Sequence, residues 1–224
     1  MFSIQPALRP LAIHQDAQST VIFELRVLWQ ELRRGAWTFC DTFSTPERSY
    51  AILRSEPDPQ PLNARKLGLL EGVLLGTPAK VVAMERRRSL SSVTAGTQDC
   101  LRAMGVECRA SQASVLLSMA ASAQLRPELA HQQGRLSKVL AGGEELNVIS
   151  ALRPDLQFPV ELSSAEAAVL RSLLDGRSHA QISGERARSP RTVANQLAMA
   201  FRKLGVSGRR ATIERLILHN AQVG

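Results

Sequence analysis

Residues 189–205 read SPRTVANQLAMAFRKLG. Ser189 is placed to cap a helix, and Pro190 fits its first position, where a missing N–H costs nothing. The helix ends at Leu204-Gly205. On a helical wheel Val193, Leu197, Ala200, Phe201 and Leu204 form one apolar stripe. Arg191, Asn195, Ala198 and Arg202 form the opposite stripe, flanked by Thr192, Gln196, Met199 and Lys203. The outer face is small and polar in its middle and basic at its ends. Such a face can enter a DNA major groove, where Asn suits a bidentate contact with adenine and Arg suits guanine or phosphate. A solvated basic face of a plain helical bundle is the blander alternative.

Upstream, Ser178 is placed to cap a short helix running to about Ala187. Before it, Leu162, Val169, Leu170, Leu173 and Leu174 keep helical spacing, with Ser163 or Ser164 as cap and Glu166 supporting the first turn. Asp175-Gly176 stops that helix, because glycine accepts the left-handed conformation past a helix end. Downstream, a fourth helix starts near Arg209 and carries Ile213, Leu216 and Ile217. A short helix, a tight turn and a reading helix make a helix-turn-helix.

The charge supports this. The net charge is +8 and the pI about 10.4. Between Arg177 and Arg215 eight Arg and one Lys face only Glu185 and Glu214, which puts +7 of that charge in one segment. A clustered cationic surface points to a polyanion, nucleic acid first.

The stretch from Leu162 through Leu170, Gly176, Ser178, Ile182, Ser189, Arg191-Thr192-Val193, Arg202-Lys203-Leu204-Gly205-Val206 and Arg209 resembles the LuxR-type (GerE-like) DNA-binding domain. The resemblance implies four helices with the third in the major groove. It implies phosphate contacts around Ser178, His179, Arg191 and Thr192, and base-edge contacts from Ala194, Asn195 and Ala198. Arg188, Ser189, Arg202, Lys203 and Arg209 complete the expected DNA-binding set. Arg202 and Lys203 also suit the negative end of the helix dipole. In this family the fourth helix commonly mediates dimerisation. Arg186 and Arg188 depart from the pattern, standing where many members have apolar residues.

Sliding the chain by 100 residues aligns Leu62–Arg109 with Leu162–Arg209 without a gap, and 13 of 48 positions are identical. Roughly three identities are expected by chance from average residue usage. The matches fall at turn glycines (Gly76/Gly176, Gly105/Gly205), a cap (Ser89/Ser189) and apolar contacts. With a one-residue slip, Leu53-Arg54 faces Leu152-Arg153 and Gly35 faces Gly134. The expected fold is mainly α: two tandem units, each a long helix (15–34 and 111–133), a short β-hairpin (36–54 and 135–152) and a four-helix LuxR-type bundle. The expected domains are 1–110, a connecting helix and second hairpin at 111–160, and 161–224. Glu56–Pro61 and Pro154–Pro159 read as linkers. Leu28-Trp29, Gly35, Trp37, Phe43, Tyr50 and the residues from Leu62 onward make the first unit similar to myxobacterial-type LuxR regulators in which a hairpin precedes the domain. Its reading helix, 90–104, is degenerate: Gly96 sits at mid-helix, costing about 1 kcal/mol relative to Ala, and Thr97 replaces the buried Leu197.

These features predict a sequence-specific transcription regulator that binds double-stranded DNA. Homodimer or intramolecular pseudo-dimer formation is expected, with RNA polymerase or another regulator as protein partner. The alternative is a protein-interaction co-regulator that sequesters a related regulator or a polymerase subunit. No P-loop, G-x-S-x-G or H-E-x-x-H motif is found, so neither an enzyme nor a cofactor is expected. Cys40, Cys100 and Cys108 lack paired spacing and read as reduced thiols of a cytoplasmic protein, without a metal. Apolar runs such as 115–123 are too short to span a bilayer, and the first ten residues lack a signal-peptide apolar region.

Overall fold

The computed structural model describes residues 8–106, 113–153 and 158–223. The order is α1 (Leu8–Gln18), β1 (Ile22–Glu24), α2 (Leu25–Arg34), β2 (Trp37–Ser44), β3 (Arg48–Ser55), α3 (Ala64–Leu74), α4 (Ala79–Glu85) and α5 (Leu90–Ala103). It continues with α6 (Ala113–Leu125), β4 (Gln133–Ala141), β5 (Glu144–Leu152), α7 (Ser164–Leu174), α8 (His179–Glu185), α9 (Pro190–Leu204) and α10 (Arg209–Val223). The chain is mainly helical around one antiparallel sheet of order β1-β4-β5-β3-β2.

Two expected helices are shorter than the sequence pattern suggested. The span 15–34 is broken into α1, β1 and α2. Residues 20–23, Thr-Val-Ile-Phe, are β-branched or aromatic and favour extended backbone. Ile22, Phe23 and Glu24 pair there with Arg135, Gly134 and Gln133 of β4. The span 111–133 ends as helix at Leu125. Pro127 drives Arg126 out of the helical region, to φ −123° and ψ 111°, and a single 3-10 turn at Pro127–Leu129 follows. Residues 111–112, Cys108, Arg109 and the core of the linker at 154–157 lie outside the described residues.

Hairpins form at the expected spans 36–54 and 135–152, as β2–β3 and β4–β5. Gly142 and Gly143, both at positive φ, turn β4 into β5. The sequence put each hairpin in its own unit; in the structure they share a sheet through β3 and β5, with Tyr50 opposite Ser150 and Ile52 opposite Val148. Strand alternation divides the side chains between two faces. Ala51, Leu53, Ile149 and Ala151 join the main core with α2, α6 and the helical modules. Tyr50, Ile52 and Val148 join Phe43, Val139, Leu146 and Ala12 of α1 on the other face. There Asp16 of α1, fully buried, accepts bonds from Tyr50 Oη (3.3 Å) and Ser150 Oγ, with Arg48 Nε at 3.4 Å. These partners pin α1 to the sheet and meet the requirement that a buried charge be paired.

Helices α3–α5 and α7–α9 begin 100 residues apart, element by element. The turns match too: Arg87 (φ 50°) and Ala187 (φ 47°) are the two non-glycine residues at positive φ among those described. The upstream sequence match does not carry over in the same way. Gly35 caps α2 in the left-handed region, whereas Gly134 lies inside β4 opposite Ala151. A β-carbon on Gly105 would lie 2.4 Å from Phe39 O, and Phe39 N donates to Met104 O (2.8 Å) at that junction. Glycine thus lets the end of α5 touch the edge strand β2. The second module is bound to the first body where α10 packs on α6 and α3.

Candidate nucleic-acid interface

Local chemistry fixes each helix of 163–223. Ser163 and Glu166 form a capping box at α7, and Ser178 and Gln181 form one at α8. At α9 the Ser189 hydroxyl accepts from Thr192 N (3.1 Å), Pro190 occupies the first turn, and Gly205 takes the left-handed conformation past the end. The α8–α9 turn is closed by Arg188 N donating to Ser183 O (3.1 Å) and by the Ser183 hydroxyl donating to Arg188 O.

Val193, Leu197, Ala200 and Leu204 are buried, as the wheel required, and pack in the core that holds Val169, Leu170, Ile182, Ile213 and Leu216. The opposite face is open. Arg191, Ala194, Asn195, Ala198 and Arg202 are exposed, and so are Ser178, His179, Arg188 and Ser189 around the approach to α9; Thr192 is half-buried. Among the described residues the side chains of His179, Arg188, Arg191 and Asn195 have no hydrogen-bond or ion-pair partner. Along α9 itself, the unpaired Arg191 and Asn195 stand beside the exposed Ala194 and Ala198. Arg202 lies against Met199 Sδ (2.9 Å).

Two expected contacts are differently engaged. Lys203 Nζ donates to Glu166 Oε2 (2.8 Å), linking the end of α9 to the start of α7. Arg209 turns inward: its guanidinium donates to Leu173 O (2.7 Å from Nε). Burial, with Arg210 beside it, pulls the Arg209 pKa down to about 10. The Leu173 carbonyl at the end of α7 already accepts from Gly176 N (3.0 Å), and the guanidinium uses its remaining acceptor capacity. Sequence spacing gives no sign of either pairing, because both join residues more than thirty positions apart. Arg186, one of the two departures from the family pattern, has its Nε buried without a partner, and Arg153, which sequence reasoning did not single out, is paired with Asp175 at the end of α7.

The Lys203 ammonium, and then Ser163 N–H, hold the Glu166 carboxyl below its ordinary pKa. A depressed native pKa means that the unfolded chain takes up the proton first as pH falls. The stabilisation is complete above the ordinary carboxylate value and is lost as pH drops through the native one. Glu166→Gln is expected to flatten the acid limb of a melting-temperature profile between about pH 5 and pH 2. A profile parallel to wild type would exclude this linkage.

No group of three His, Cys, Asp or Glu residues suited to a metal occurs among the described residues, and no helix among them is long and apolar enough to cross a membrane. No curated protein and no solved structure matches the chain. Residues 160–216, about a quarter of the chain, match the family model described as "GerE: Bacterial regulatory proteins, luxR family", so the chain carries a LuxR-type helix-turn-helix domain, the DNA-binding domain of transcription regulators.

Proposed function

We propose that the chain is a sequence-specific regulator that reads double-stranded DNA by inserting α9 into the major groove. The observation that carries this reading is the exposed face of Arg191, Ala194, Asn195 and Ala198, opposite a stripe that is fully packed. A helix must offer small side chains to reach base edges, and this face does. Arg188 and Arg191, with Ser178 and His179, would position the helix by gripping phosphates, which sets register without reading sequence.

We further propose that α3–α5 and α7–α9 belong to two tandem units joined as an intramolecular pseudo-dimer. The 100-residue offset of the two helix sets supports it, as does the contact between α6 and α10, the helices that follow them. The antiparallel pairing of β3 with β5 adds a second joint.

Selection from randomised duplex DNA, followed by fluorescence anisotropy, tests the reading. Binding should weaken steeply with salt, as counterion release requires. Asn195→Ala should lose about 1–3 kcal/mol on the selected duplex and little on random DNA, whereas Arg191→Ala should weaken both alike. No duplex binding at any salt concentration would overturn the reading.

A second reading is favoured by one observation on the first module. Val81, Met84 and Leu90 are exposed there, at positions where the second module carries Gln181, Gly184 and Pro190. An apolar surface of this kind suits a protein partner better than a phosphate backbone. The first module would then serve as the protein-contact arm of the regulator.

A further inference from the structure

The two modules differ most where α3 meets α5. A groove of about 740 Å³ opens between these helices, within the size range of small-ligand sites. Its floor includes Gly68 and Gly96. A β-carbon on Gly68 would meet nothing within 4 Å, and one on Gly96 would approach Leu69 Cδ1 at 3.0 Å. At the same positions the second module has Ala168 and Gln196. Glycine at 96 thus lets Leu69 of α3 pack directly on α5, and the open space lies beside Gly68.

The rim of the groove is cationic. Arg65, Lys66, Arg86 and Arg88 line it, with Asp99 as the one acid among the lining residues. Asp99 is already taken: Lys66 Nζ lies 2.6 Å from one of its oxygens and Arg102 3.2 Å from the other. The guanidinium groups of Arg65, Arg86 and Arg88 have no partner among the described residues. Arg86 and Arg88 recur as Arg186 and Arg188, but Glu166 stands in the second module where Lys66 stands here, and Ala165 where Arg65 stands, so the cationic α3 side of the groove is particular to the first module. Three unpaired guanidiniums around one concavity repel one another until an anion joins them, and guanidinium pairs with phosphoryl oxygens in a bidentate, charge-assisted manner. The positive end of α3, capped by Asn63, faces the same space and adds to the attraction. Ala64, Leu69 and Ala95 supply an apolar strip for a less polar body.

We propose that this groove binds a small organic di- or triphosphate, giving the chain a ligand input on the module that is poorer as a DNA reader. The ligand would lie along Ser92, Ala95 and Gly96 of α5, the positions matching Thr192, Asn195 and Gln196 of α9. The proposal does not depend on DNA reading by α9.

ATP serves as the probe, titrated calorimetrically into the full chain in about 0.15 M salt, a range in which exposed charges are screened. The expected result is one saturable site per chain, displaced by pyrophosphate, with a melting temperature raised by about 5 °C or more at saturation. Replacing Arg86 and Arg88 together with Ala should weaken ATP about a hundredfold, roughly tenfold for each charge-assisted contact. Gly68→Gln, whose side chain meets no neighbour at its β-carbon and enters the groove, favours the helix and should weaken ATP by at least about tenfold with helicity retained. Lys138→Ala, at the β4–β5 hairpin, should bind as wild type. The proposal is overturned if ATP does not bind, if pyrophosphate fails to displace it, or if both groove variants bind as wild type. It is also overturned if ATP is ignored and the Arg86/Arg88 variant instead lowers the salt slope of duplex binding, for then those arginines serve the DNA backbone. Failure of duplex binding by the wild type would count against DNA reading and leave the ATP titration informative.

Discussion

Trp29→Ala is expected to lower stability by about 3–5 kcal/mol, the usual cost of truncating a fully buried aromatic side chain. Trp29 is 0 % exposed. It sits on α2 in the core formed with α6 and the inner sheet face, and its Nε1 donates to Glu71 Oε1 (3.3 Å) on α3. One side chain therefore ties the helix before the first hairpin to the first helical module. For a chain of this size the loss corresponds to a fall of about 10 °C in melting temperature. Trp29→Phe keeps most of the apolar volume and gives up the Glu71 bond, so its cost should be about 1–2 kcal/mol. A Trp29→Ala chain that melts within about two degrees of wild type would contradict this placement of the core.

The second large effect concerns the contact between α6 and α10. Glu214 of α10 is buried, with Ser122 Oγ donating to Oε2 (2.8 Å) and Arg126 Nε 2.6 Å from Oε1. Removing one member of a buried pair leaves its partners without compensation and costs about 3–5 kcal/mol. Arg126 is about a third exposed and can turn to solvent, so Glu214→Ala should cost less than that, about 2–3 kcal/mol. Glu214→Leu should recover part of it, because an apolar side chain at this buried position needs no hydrogen-bond partner. Hydrogen exchange adds a local readout: amides of α10 should exchange faster in Glu214→Ala than in wild type, while those of β3 and β5 keep their protection at low denaturant. Uniform acceleration across the chain would mean that α10 is not held mainly by this contact.

The helix-turn-helix was legible because its signals are local. Ser178, Ser189 and Pro190 act within a turn of the helix they start, and Gly205 acts at its end, so neighbours in sequence suffice to read them. The same holds for the Gly142-Gly143 turn. The helical spacing of 15–34 misled, because Leu25, Leu28 and Leu32 belong to a real helix while the preceding β-branched residues answer to a strand pairing more than a hundred residues away. The joining of the two hairpins was hidden for the same reason: alternation marks a strand but not its neighbour. Within the site, Asn195 and Arg191 were readable as exposed from the wheel. Lys203 and Arg209 were not readable as engaged, since Glu166 and the Leu173 carbonyl reach them only after the bundle closes. The arginines at 86 and 88 looked like echoes of 186 and 188; what gives them a different setting is Arg65 and Lys66 across the groove and the open space beside Gly68.

The ladder between β3 and β5 makes each half of the molecule dependent on the other. Severed from its companion, either hairpin would carry a bare row of amide and carbonyl groups along its inner margin, an invitation to recruit a second fragment. In the pseudo-dimer proposed above, the tether between the halves would replace a concentration-dependent encounter with a fixed local abundance of the correct mate. A mass-action equilibrium would thereby become a property of a single polypeptide, whatever its copy number in the cell.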